Sequence, residues 1–347
     1  MEIKKLLITR FSAMGDVAMC VPVIASLAEK YKDLQIYFVS RRAFEGMFQN
    51  MPDNVHFVGT SLDHRIYKGL KGLNRLYKRK LQKYKPDAYA DFHDVIRTKY
   101  LRVRAFFSGI KTAKIDKGRS EKEHLIKHGA LNCEPLKTTI ERYEDVLKEL
   151  GFEVKTEFKP RINGQKMPLG HEILKVCGEK TSKWIGFAPF AAFDGKILPI
   201  ETSERLVKIL SEKEDVKVFL FGAGKNETGI LEDWASKYTD VVSVAGRLGG
   251  LFHELPLIAH LDCMISMDSA NMHLASLCGT RAVSVWGATH PAAGFYGFGQ
   301  DPDDAVQLPL QCRPCSVYGK EKCRISDQYK CLRGITAEMI VEKVFKE

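Results

Sequence analysis

No stretch of this sequence stays apolar for the roughly 20 residues that a membrane-spanning helix needs, although hydrophobic residues make up 45% of its 347 positions. The amino terminus, MEIKKLLITRFSAMGD, lacks the small-residue cleavage pattern of a secretory signal, so it reads as the first β-strand of a cytoplasmic protein. Two glycine signatures of nucleotide sites are also missing, the GxGxxG turn and the P-loop. Neither a repeat of solenoid period nor a low-complexity tract is present. These absences exclude a membrane span, a repeat array and a P-loop NTPase. What is left is a globular chain too long for one ordinary domain and long enough to bury two cores.

Charge is plentiful and uneven. The net charge is +10, yet residues 65–128 hold 19 Lys/Arg against 6 Asp/Glu, a local balance of +13, so the remainder is slightly acidic. A local basic excess calls for an anionic partner: nucleic acid, phospholipid headgroups or a phosphorylated glycan. The plain alternative is a solvated helical face covered with lysine. Nine cysteines fall into two sets. Cys20, Cys133, Cys177, Cys263 and Cys278 lie among apolar residues and read as buried thiols. Cys312-x2-Cys315-x7-Cys323-x7-Cys331 permits zinc but lacks the second close pair of a zinc ribbon, so structural thiols remain the other reading.

Hydrophobic periodicity alternates strands and helices twice. In the first array, strands are expected at 6–8, 35–39, 55–58, 88–92 and 110–115. Helices are expected at 17–31, 42–49, 66–84, 95–107 and 138–150. Residues 119–128 read as a loop. The alternation breaks where Pro160, Gly164, Pro168 and Gly170 sit in a polar background. A second array follows, with strands at 184–188, 216–221, 241–244, 263–266 and 282–285, and a last helix at 336–345. The resulting division is a first domain over 1–155, a linker over 156–182, a second domain over 183–335, and a terminal helix over 336–347 that could cross back to the first domain. Two βαβα arrays make an α/β protein of two doubly wound, Rossmann-like domains facing across a cleft, where such pairs bind ligand.

Three stretches can carry chemistry. Met14, Gly15 and Asp16 follow the first strand, where a tight glycine turn would place the Asp16 carboxylate at the mouth of a parallel sheet. Asp16 is either a helix cap or a general base. Lys196 lies in the loop after the strand at 184–188, where it can hold a phosphate as a point charge or simply face solvent. Asp268-Ser269-Ala270-Asn271 opens a helix after the strand at 263–266, so its N–H groups can receive a diphosphate. His273 lies one turn in, facing either ligand or core. The turns at Gly222-Ala-Gly224 and Gly246-Arg247 add small residues at one sheet edge, which suits a nucleotide.

With these residues assembled, the chain resembles glycosyltransferase family 9, the ADP-heptose:lipopolysaccharide heptosyltransferases. The resemblance rests on Arg10-Phe-Ser-Ala-Met-Gly-Asp-Val17 with Pro22, Gly222-Ala-Gly224, Gly246-Arg-Leu with Glu254-Leu255, Asp268-Ser-Ala-Asn-Met-His-Leu-Ala275 with Gly279, and Trp286-Gly-Ala-Thr-His-Pro291. It implies the GT-B architecture and an inverting reaction. By resemblance, Asp16 deprotonates the acceptor, with Met14 and Gly15 beside it. Lys196 holds the donor diphosphate, Asp268 to His273 bind phosphate and sugar, and Gly222 and Gly224 lie by the nucleoside. The implied partners are a sugar nucleotide, ADP-heptose first, and a lipid A/core glycan acceptor on the inner face of the inner membrane. The basic stretch would make peripheral contact with that anionic surface, and nucleic acid is not expected as a partner. Ser269-Ala270 stands where many members carry Thr-Gly, which narrows that loop and leaves another sugar nucleotide open. No cofactor or metal is expected, because Lys196 and helix N-termini can meet the leaving-group charge. Two rival readings are a sugar-nucleotide epimerase of the same two-domain shape and a nucleic-acid binder using the basic domain.

Overall fold

The computed structural model describes residues 2–61, 69–164, 167–325 and 329–346. The start of the expected helix over 66–84, the start of the basic stretch at Arg65, and Tyr67 lie outside the described residues. Contacts divide the chain into two units. The first is Met1–Lys117 with Thr139–Arg161, and the second is Gly118–Thr138 with Ile162–Glu347. Residues 118–138, expected in the first domain, therefore group with the second.

The first unit runs β1 (Lys5–Thr9), α1 (Met14–Lys30), β2 (Gln35–Arg41), β3 (Val55–Thr60), α2 (Gly69–Tyr77), β4 (Ala88–Asp91), α3 (Ile96–Phe107) and β5 (Lys111–Lys114). After α4 (Arg119–His128), which belongs to the second unit, α5 (Thr139–Glu149) returns to the first. The five strands are all parallel, in the order β3-β2-β1-β4-β5. The Leu6-Leu7-Ile8 run is buried because β1 is central, with Leu7 paired to Tyr37 on one side and Tyr89 on the other. From β1 the chain winds outward through β2 and β3, then returns to the other side of β1 as β4. The switch point of this sheet lies between β1 and β4, the place where open parallel sheets leave a crevice at their carboxyl ends.

The second unit contains α6 (His171–Cys177), β6 (Lys183–Ala188), α7 (Ile200–Ser211), β7 (Val216–Leu220), α8 (Lys225–Lys237), β8 (Val241–Ser243), α9 (Leu251–His260), β9 (Cys263–Met267), α10 (Ala270–Cys278), β10 (Ala282–Val285), β11 (Ala305–Val306), α11 (Lys330–Arg333) and α12 (Ala337–Phe345). Its parallel sheet has the order β11-β10-β9-β6-β7-β8, which puts the switch point between β6 and β9. Ile185, Phe187, Val218, Ile265 and Val283 of the sheet share one core with Leu206 and Leu210 of α7.

Several expectations are corrected. Residues 119–128 form α4 rather than a loop, and Leu125 anchors that helix against Ala292 and Ala293. The polar sequence hides this anchor because one leucine makes no periodic stripe. The expected linker contains α6, whose Ile173 and Cys177 are buried. Helix α12 packs on α7, β10 and β11 of its own unit, with Ile340 and Val344 in the second core, rather than crossing back. The helix expected from 66 to 84 is interrupted: it is α-helical over Gly69–Tyr77, opens to a π-turn over Lys78–Gln82 and is α-helical again at 83–84. Within it, Lys80 is buried and donates to the Gly59 carbonyl at 3.2 Å, so it adds nothing to the basic surface.

Candidate functional site

The candidate residues lie past the carboxyl ends of the strands: Asp16, Lys196 and Asp268 next to a switch point, and Gly222, Gly224 and Gly246 past β7 and β8, to one side of it. In the first unit, residues 10–13 make the turn between β1 and α1, and the helix begins at Met14. Gly15 is therefore inside the first helical turn and buried, and the expected glycine turn does not occur. The Asp16 carboxylate closes the helix by accepting from the Ala13 amide at 2.9 Å, and it pairs with Arg10 at 2.5 Å. Its cap role is thus real, and it is also held by a cation. Arg10 reaches across the switch point and donates to the Phe92 carbonyl at 2.7 Å, just past β4. Burial works against the Arg10 charge, but Tyr143 and Asp16 beside it more than offset this and raise its proton affinity. Tyr143 donates to the Asp16 carbonyl at 3.2 Å and stacks on Phe92 at 4.4 Å between ring centroids.

The residues after β4 complete this half. His93 accepts from the Phe11 amide at 3.3 Å through Nδ1 and faces the Ser12 hydroxyl at 3.3 Å through Nε2. Burial and the nearby Arg10 push its pKa down to about 3, so the ring is neutral at physiological pH. Fully buried Asp91 accepts from the amides of His93 and Asp94 and pairs with Arg102 at 2.6 Å. None of Arg10, His93, Asp91 or Arg102 stood out as a site residue in the sequence. Arg10 entered only as the first residue of the family motif; for Asp91, His93 and Arg102 the signal available was position alone, at or just past the end of β4 or, for Arg102, in the second turn of the following α3.

In the second unit, Lys196 lies in a short 3-10 turn after β6, and Asp268 follows β9 directly. They occupy the two loops that flank the switch point, with Lys196 Nζ 2.8 Å from Asp268 Oδ2. The ammonium sits off the hydrogen-bond direction, so this buried oxygen has a charge partner but no hydrogen-bond donor among the described residues. Ser269 is the N-cap of α10, but its hydroxyl is 3.1 Å from that of Ser266 and no side chain caps the helix. The leading amides of α10, from Ala270 and Asn271 onward, thus carry the partial positive charge of a helix N-terminus that suits an anion. His273 is buried one turn further on.

Neighbouring loops fix Lys196. A Cβ on Gly319, whose φ is +78°, would stand 2.6 Å from Lys196 Cγ, so glycine is required where this loop covers the lysine stem. The Gly195 amide donates to Gly319, and the Gly195 carbonyl accepts from Ala288 at 2.8 Å. Arg313 holds the loop after β10 from behind. It is buried and donates to the carbonyls of Trp286, Gly287, Thr289 and Leu308 at 2.6 to 3.1 Å. Burial brings its pKa down to about 10. Gly222 and Gly224 form the turn from β7 into α8, and Glu227 accepts from the Ala223 amide between them at 2.8 Å. Burial also raises the carboxyl pKa of Glu254, in the first turn of α9.

Among the described residues no group of three His, Cys, Asp or Glu side chains is arranged to hold a metal ion. Cys315 and Cys331 are buried and Cys312 and Cys323 are half-buried, with burial pushing the Cys331 thiol up to about 11. The chain has one Asp-x-Asp, Asp301-Pro302-Asp303. Its Asp301 caps a 3-10 turn at the Asp303 amide, and the adjacent Asp304 pairs with Arg281 through two contacts of 2.8 and 2.7 Å.

Two doubly wound parallel sheets, each with polar residues gathered at its switch point, make this a two-domain α/β enzyme of the GT-B glycosyltransferase fold. The model of glycosyltransferase family 9 (heptosyltransferase) matches residues 77–324, and the chain belongs to that family. Lipooligosaccharide heptosyltransferase 2 of Campylobacter jejuni is 22% identical over 343 residues, covering 95% of this chain and 94% of the relative. The family 9 glycosyltransferase of Veillonella parvula superposes with a TM-score of 0.70 at 17% identity, over 100% of this chain and 99% of the other. The heptosyltransferase WaaC of E. coli, solved with ADP-2-deoxy-2-fluoro heptose, gives 0.66 at 16% identity, over 97% and 98%.

Proposed function

We propose that this glycosyltransferase moves a heptosyl group from ADP-heptose onto an inner-core sugar of lipopolysaccharide, with inversion at the anomeric carbon and without a metal ion. The observation that carries the reading is the Lys196–Asp268 pair beside the N-terminus of α10, a cation and a set of backbone donors at one switch point. A diphosphate needs both. The likeness to WaaC and to the Campylobacter heptosyltransferase supports the choice of sugar and acceptor.

In the reaction, the acceptor hydroxyl oxygen attacks the anomeric carbon and its proton passes to the Asp16 carboxylate. The bond from that carbon to the diphosphate oxygen breaks, and ADP leaves with the electron pair. The Lys196 ammonium and the amides of α10 stabilise the negative charge that develops on the leaving oxygen. Arg10 pairs with Asp16 at 2.5 Å and so fixes the position of its carboxylate. The acceptor is a glycolipid with anionic sugars, and the basic stretch brings the chain to the inner face of the membrane that holds it.

The test is release of ADP from ADP-heptose by the purified full chain, with and without a delipidated, heptose-free core acceptor. Release should require the acceptor, give the inverted linkage, and continue unchanged in EDTA. Turnover of UDP-sugars without acceptor would favour the epimerase reading, and loss of the rate in EDTA with recovery in Mg²⁺ would remove metal independence.

A further inference from the structure

Helix α3 is apolar on two opposite faces. Thr98, Leu101 and Ala105 are buried on the inner one. On the outer one, Ile96, Val103 and Phe107 fall at the i, i+7 and i+11 positions of a second stripe. Ile96 is 80% exposed, Val103 52% and Phe107 81%, with Phe106 beside them at 67%. The rings of Phe106 and Phe107 meet edge to face at 5.7 Å and so form one ridge. Helix α2 packs on α3 and carries Leu70, which is 75% exposed. A lone exposed apolar residue needs no explanation, but a stripe of them along one helix does.

Among the described residues the charge beside the stripe is mostly positive, and one carboxylate, Asp94 just before α3, lies 3.8 Å from Lys99. Residues 69–85 and 96–107 contain no aspartate or glutamate. Lys99 and Arg104 lie on the exposed part of α3, and Lys71, Lys78 and Arg79 are exposed on α2 and its π-turn. An apolar ridge flanked by cations fits a bilayer surface, where side chains enter the boundary between headgroups and acyl chains while lysine and arginine meet lipid phosphates. A symmetric pair of copies would set these cations against themselves.

We propose that the outer face of α3, with Phe106 and Phe107 at its centre, inserts into the interfacial region of an anionic phospholipid membrane. This deepens the reading of peripheral membrane contact given above and rests on it. It adds that attachment is apolar as well as electrostatic and assigns it to one helix face.

The experiment uses the full chain carrying Phe107→Trp. The natural tryptophans Trp184, Trp234 and Trp286 are at most 1% exposed, so they give a constant background. With vesicles of phosphatidylglycerol and phosphatidylethanolamine, emission from the introduced indole should shift to the blue, and with phosphatidylcholine alone it should not. The variant Phe106→Ser/Phe107→Ser should lose about tenfold or more in partitioning. It should keep its circular dichroism, its unfolding midpoint and its rate on the delipidated acceptor. Lys78→Glu/Arg79→Glu should weaken partitioning and flatten its salt dependence. Vesicle binding by the wild type that is unchanged in Phe106→Ser/Phe107→Ser would overturn the insertion and leave the membrane reading standing. Failure of the wild type to bind anionic vesicles at all would overturn both, with the transfer reaction judged separately on the soluble acceptor. A wild-type dimer that Phe106→Ser/Phe107→Ser abolishes in the absence of lipid, or displacement from vesicles by a single-stranded RNA, would also overturn the proposal.

Discussion

Lys196 and Asp268 form an ion pair of 2.8 Å between the two loops that flank the switch point of the second sheet, with the carboxylate almost fully buried. The aspartate thereby holds the lysine ammonium in place between these loops.

Removing one partner leaves the other uncompensated. Lys196→Met should lower kcat by about a hundredfold to a thousandfold, the scale of losing one charge-stabilising donor. It should also destabilise the fold by roughly 3 kcal/mol through the stranded Asp268. The double variant Lys196→Met/Asp268→Asn should regain much of the stability and none of the rate. Denaturant unfolding and steady-state kinetics on the three proteins check this, and full recovery of rate in the double variant would contradict the role of Lys196.

Asp16 is both a helix cap and the assigned base, and the two roles separate in the magnitude of their loss. A cap contributes about 1 kcal/mol of stability. General-base catalysis contributes about a hundredfold to ten-thousandfold in rate. Asp16→Asn should therefore lose stability both through the cap and through the stranded, buried Arg10 charge, and lose kcat by at least the lower of these factors. A variant with near-native kcat and a lowered unfolding midpoint would reduce Asp16 to its cap.

Arg313 should be the most costly single arginine to lose from the second unit. Its guanidinium serves four carbonyls of the chain that supports Gly195 and Lys196. Arg313→Leu leaves buried acceptors unpaired at about 1–3 kcal/mol each, so thermal unfolding should fall sharply. Arg313→Lys should recover only part of this, because an ammonium cannot match the planar fork.

Acid should weaken the protein before its carboxylates titrate. Burial holds His93 near pKa 3 and His290 near 4, both below the ordinary histidine value of about 6.5. A folded pKa below the unfolded one means that the unfolded chain takes up the proton first. The stability tied to each neutral ring is fully present above about pH 6.5 and is lost as pH falls from there toward the folded pKa. The slope is on the order of 1.4 kcal/mol per pH unit for each histidine. Unfolding free energies measured between pH 7 and pH 4 should show this loss, and His93→Gln or His290→Gln should each remove one share of the slope.

The sequence by itself determined the class of the fold and the positions of most strands. Runs such as Leu6-Leu7-Ile8 and Cys263-Met-Ile-Ser-Met267 are apolar on both faces, and only a covered parallel strand accounts for them. It also marked Asp16, Lys196 and the start of α10, because each follows a strand end closely. It could not place residues 119–128, whose buried positions are Leu125 and the charged Lys122, nor assign α12 to one core, since that depends on which distant surface its apolar face meets.

Only the tertiary structure decided what surrounds the chemical groups. Strand order, invisible in a linear pattern, brings Arg10 and His93 together at one switch point and Lys196 and Asp268 at the other. Burial then sets their charge states by withholding water, which neutralises His93 while the Asp16 partnership keeps Arg10 charged. The outward turn of Phe106 and Phe107 belongs to the same category. Their hydrophobicity is plain in the sequence, but which face of α3 is covered by the rest of the unit is a property of packing alone.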